Sequence, residues 1–127
     1  PYITQAELED LALPPGAQGG LDAGAIEAII ARASKEADGH LRARYALPLT
    51  AWDDDLRGWV ADIAAFLCIK KIGANPESAD YEVFKTASDE AHGKLKLVAQ
   101  RLLHPNIQDS AKLVRVPRMA SKPLRGW

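Results

Sequence analysis

Histidine, cysteine, serine and clustered aspartate are the side chains of this sequence that could do chemistry. The histidines are His40, His92 and His104, on three separate segments, with no HExxH pair to hold a metal on one helix face. A three-histidine site would need tertiary convergence, and the expected roles are helix-end and surface polar residues. Asp53, Asp54 and Asp55 are the oxygen ligands a magnesium ion would take, but adjacent helical positions point apart. Carboxylates at a helix start are favoured by its dipole, so capping is the expected role. Cys68 is the only cysteine, which excludes an internal disulfide and a cysteine-rich zinc site. It lies in the apolar run AAFLCIKK and reads as a small buried hydrophobe rather than a reactive thiol. None of Ser34, Ser78, Ser88, Ser110 and Ser121 has the glycine-flanked setting of a nucleophile. The glycines at 16, 19 and 20 lack the Gly-Lys-Ser/Thr of a phosphate loop and read as a connector. No enzyme activity, cofactor or metal is expected.

These residues are carried by a chain that reads as all-α, a bundle of about four helices with an extended C-terminal tail. Thr4 and Glu7 have capping-box spacing, predicting a short helix over 5–12. The central helix is predicted over 22–45, where Ile26, Ile29, Ile30, Ala33, Ala37, Leu41 and Tyr45 recur at three- and four-residue steps. Asp22 caps its start and Pro48 bars its continuation. Residues 46–51 are an extended link. A third helix is predicted over 54–72, with Leu56, Trp59, Val60, Ile63, Ala64 and Leu67 as one stripe, widened by Phe66, Cys68 and Ile69. So broad an apolar surface is either central in the core or covered by another subunit. Trp59 and Phe66 are therefore possible subunit-interface residues, though core burial explains them equally well. Gly73, Asn75 and Pro76 end that helix. A fourth begins near Ser78, with Gly93 a candidate left-handed end. The following KLKLV suits a short strand or a helical continuation, and periodicity over 94–103 decides neither.

Length and charge set the organisation. A chain of 127 residues, 47% hydrophobic, is one ordinary domain with a real core. No apolar run approaches the roughly 18 residues of a membrane span, and PYITQAELED lacks the basic and apolar regions of a secretion signal. With one cysteine, an intracellular, reducing origin is the expectation. Residues 112–127 hold five basic side chains and no acid, while the preceding 111 hold 11 basic and 17 acidic, a net of −6. An acidic body over 1–111 thus carries a basic extended tail over 112–127. The tail has three readings: phosphate binding, a docking peptide, and a solubilising extension. Arginine and tryptophan together favour protein docking, with Arg115, Arg118, Arg125 and Trp127 as the anchors.

Several segments in order carry a resemblance. They are the opening YITQAELEDL, the helix end ADGHLRARYALPL, the helix DLRGWVADIAAFLCIKK, HGKLKL, and the closing VPRMASKPLRGW. In this order the chain resembles a family of small structural proteins of Mu-like phages and prophages, grouped with the head–tail connector, or adaptor, proteins. The resemblance spans nearly the whole chain and carries no catalytic motif. It implies a head-completion subunit in the virion neck, synthesised in the host cytoplasm and assembled into a homo-oligomeric ring below the portal. The implied partners are the portal protein and neighbouring neck or tail proteins, with DNA only as cargo through the channel and no membrane. The alternative is a DNA-binding accessory protein acting through the basic tail.

Overall fold

The computed structural model describes residues 1–110, which form a mostly helical bundle. Within them α1 spans Gln5–Leu11, α2 Ala23–Leu41, α3 Asp54–Lys71 and α4 Ala79–Ala99. A 3-10 turn, Pro15–Ala17, leads from α1 to α2. Strand β1 (Leu49–Ala51) pairs antiparallel with β2 (Gln108–Asp109), Leu49 opposite Asp109, with a bulge before Ala51 meets Gln108. This small ladder is the one departure from an all-α architecture among the described residues. The tail 112–127 lies outside them.

Each helix starts where a short polar side chain accepts the free amides of the first turn. Thr4 Oγ1 accepts the Glu7 N–H at 3.2 Å while Glu7 Oε1 accepts the Thr4 N–H at 2.9 Å, completing the capping box. Asp22 accepts from Ala25 at 2.7 Å, Asp53 from Leu56 at 3.2 Å and Ser78 from Tyr81 at 3.1 Å.

The ends hold the surprises. The central helix stops at Leu41, four residues short of the expected Tyr45, because Arg44 and Tyr45 both turn their N–H groups back onto the Leu41 carbonyl. The expected end at Gly93 is also wrong: α4 runs through it to Ala99, and KLKLV is helical. Helix α3 does end as read, with Gly73 at φ 78° and the Ala74 N–H donating to the Ile69 carbonyl. Helix α4 closes the same way on a residue that is not glycine. Arg101 takes φ 64° and the Leu102 N–H donates to the Leu97 carbonyl.

Helix α3 is the centre, packing against α1, α2 and α4. Eight of its 18 residues are buried, including Leu56, Val60, Ile63 and Cys68. They meet Leu8 of α1, Ile26, Ile30 and Leu41 of α2, and Leu95 and Val98 of α4 in one cluster. Each large side chain so buried contributes about 1.5–3 kcal/mol. The N-terminal segment clasps α2 from outside. The Tyr2 N–H donates to Ser34 Oγ, its hydroxyl donates to Asp38, and Trp52 Nε1 donates to the Tyr2 carbonyl while the two rings meet edge-on. Gly19, at φ 63°, lets the loop before α2 lie against Ile72, which a Cβ there would meet at 2.9 Å.

Candidate functional site

Two of the three histidines meet across the α2–α4 seam. His40 Nε2 lies 3.2 Å from His92 Nδ1, and His92 Nε2 lies 3.4 Å from Glu36 Oε1. Burial lowers the His40 pKa from its ordinary value, and the neighbouring His92 and Lys96 lower it further against the pull of Glu36. The row links α2 to α4; among the described residues no group of three or more His, Cys, Asp and Glu side chains is arranged to hold a metal. His104 stands apart and accepts from Arg44 Nη2 at 2.8 Å.

The aspartate run works as a helix start. One Asp53 oxygen caps α3 and the other accepts the Asn106 N–H at 2.8 Å, tying the chain after α4 to the head of α3. Asp54 pairs with Arg57 at 2.9 Å, and Arg57 also faces Glu7 of α1 at 3.6 Å. Cys68 is buried, and that burial pushes its thiol up to about 11, out of the range of an active nucleophile.

Arg44 is a hub that sequence reading missed. Its Nη1 donates to the carbonyls of Val98 and Leu103, at 3.2 and 2.9 Å, one in the last turn of α4 and one just past its end. Beside it a polar recess opens between Arg101, Asn106 and Asp109. Asp109 is itself committed, accepting the Ala46 N–H at 2.9 Å. The recess fastens the end of α4 to the link after α2.

Two further surface features carry opposite charge. A groove between α2 and α3 has an apolar floor of Ala25, Ala28, Ile29 and Leu67, with Arg32, Lys70 and Lys71 along its rim. On α4, Val83 stands 66% exposed between Glu82, Thr86, Ala87 and Glu90. Near that face a carboxylate sits in poor company: burial first, and the charge of Glu90 second, push Asp62 up to about 6.

Of the residues singled out in the sequence, Trp59 and Phe66 are half-buried and packed on the core of their own chain. Phe66 meets Tyr81 edge-on at 5.3 Å, with Lys70 Nζ 5.3 Å from its ring centre. Arg115, Arg118, Arg125 and Trp127 lie outside the described residues. The His40–His92 contact and the Asp62–Glu90 approach join residues far apart in sequence, and no local signal marks either.

No helix among the described residues is long and apolar enough to cross a membrane. The fold defines a small, mostly helical bundle. Residues 1–117 match the family described as Bacteriophage Mu, Gp36, and the chain belongs to it. No curated protein and no solved structure matches the chain.

Proposed function

We propose that this chain is a virion structural subunit without enzymatic activity, a head–tail connector or adaptor that completes the head as part of a ring below the portal. Its setting is the virion neck, reached from the host cytoplasm, and its partners are the portal protein and the adjoining neck or tail proteins. The observation that carries this reading is membership of a Mu phage family across residues 1–117, joined to the ordered connector-like segments of the sequence. Charge supports it. A body with a net of −6 over its first 111 residues repels DNA moving through a channel and does not trap it.

In this reading the basic tail docks to the portal or a neighbouring copy, with Arg115, Arg118, Arg125 and Trp127 as anchors. Deleting residues 114–127 should leave a folded protein that no longer joins heads to tails, as counted in an in vitro head–tail joining assay. Normal joining by the truncated protein would rule out the docking role. Tight, salt-sensitive binding of the full chain to duplex DNA would instead favour an accessory DNA-binding protein.

A further inference from the structure

The two surface features are complementary in charge and share no residue. The groove between α2 and α3 is apolar with a cationic rim; the outer face of α4 exposes Val83 beside two carboxylates. One copy can therefore offer α4 to a neighbour while its own groove receives another. We propose that copies of this chain associate head to tail, the α4 face around Val83 of one copy seating in the α2–α3 groove of the next. Such a contact is heterologous, and it closes into a ring when the rotation between copies permits. The inference rests on the ring reading above and names the contact that builds it.

Three observations support a second copy as the occupant. Glu82 and Glu90 lie two helical turns apart on the face that exposes Val83, and their charge is opposite to that of Arg32, Lys70 and Lys71 on the rim. Among the described residues, Lys71 is in no ion pair, Lys70 lies over a ring face, and Arg32 holds an exposed pair with Glu36, all cheaply redirected. Asp62 and Glu90 place two carboxylates near each other, a repulsion that a neighbour's cation relieves. The apolar area is small, so each contact is weak alone and gains from closure.

The test is sedimentation of the full chain at low salt over a wide concentration range. One variant carries Glu82→Lys with Glu90→Lys, the other Lys70→Glu with Lys71→Glu. All four positions are exposed, and circular dichroism checks that both variants fold. The native chain should associate with rising concentration, and each variant should do so about tenfold or more weakly. An equal mixture of the two should recover association, because reversed face then meets reversed groove. A native chain that stays monomeric throughout, a variant that associates normally, or a mixture that fails to recover would overturn the proposal. A full chain carrying Arg115→Gln, Arg118→Gln and Arg125→Gln separates the rival occupant. If it loses association while the lysine variant keeps it, the basic tail covers α4 and the proposal falls. Failure here sinks this contact alone, since the neck role is judged by head–tail joining.

Discussion

Helices α3 and α4 are nearly equal in length and opposite in use. Of the 18 residues of α3, eight are buried, spread round the cylinder; of the 21 of α4, four are buried, along one stripe. The first is clad on three sides by α1, α2 and α4, and most of its apolar surface is used inside its own chain, with Leu67 left in the floor of the groove beside α2. The second presents a long polar face broken by Val83. An apolar helix in a small protein is thus no sign of a partner by itself. The helix with the plainer sequence has the surface that a partner could use.

The largest effect should come from the core face of α3. Leu56→Ala removes a side chain with no exposure, and the loss should be about 2–5 kcal/mol, read as a fall in Tm. A loss below about 1 kcal/mol would mean that α3 is not the centre of the fold.

A smaller effect, of opposite sign, belongs to the approach between the two helices. Asp62 titrates near 6 in the folded chain, against 3.8 ordinarily, so folding favours its protonated form. Its contribution is most favourable below the ordinary value, declines as pH rises through about 6, and is fully unfavourable above that. Asp62→Asn should therefore stabilise the protein at neutral pH by on the order of 1 kcal/mol after allowance for solvent screening, and by much less near pH ~4. Denaturant midpoints at the two pH values measure this. Equal effects at both would show that charge is not the cause.

What was legible in the sequence was local. Thr4 with Glu7, Asp22, Asp53 and Ser78 cap helices through atoms three residues away, so their types and spacing were enough. The ends of α2 and α4 were not. Past Leu41 the chain turns so that Arg44 reaches carbonyls 54 and 59 residues on, and no periodicity records that. Gly93 offered a familiar end signal within a helix that continues, while the true left-handed end is an arginine. The His40–His92 and Asp62–Glu90 approaches depend on how α4 lies against α2 and α3, a packing choice with no local mark. Cys68 was legible because an apolar run with no nearby base has one sensible place, the core.

Electron microscopy of the chain assembled with the neighbouring gene products of its phage decides whether it builds the neck. A ring with a central hole is expected at the neck, with α4 of each copy lying in the α2–α3 groove of the next. Complete necks without this chain, or with it present but outside any ring, would contradict it.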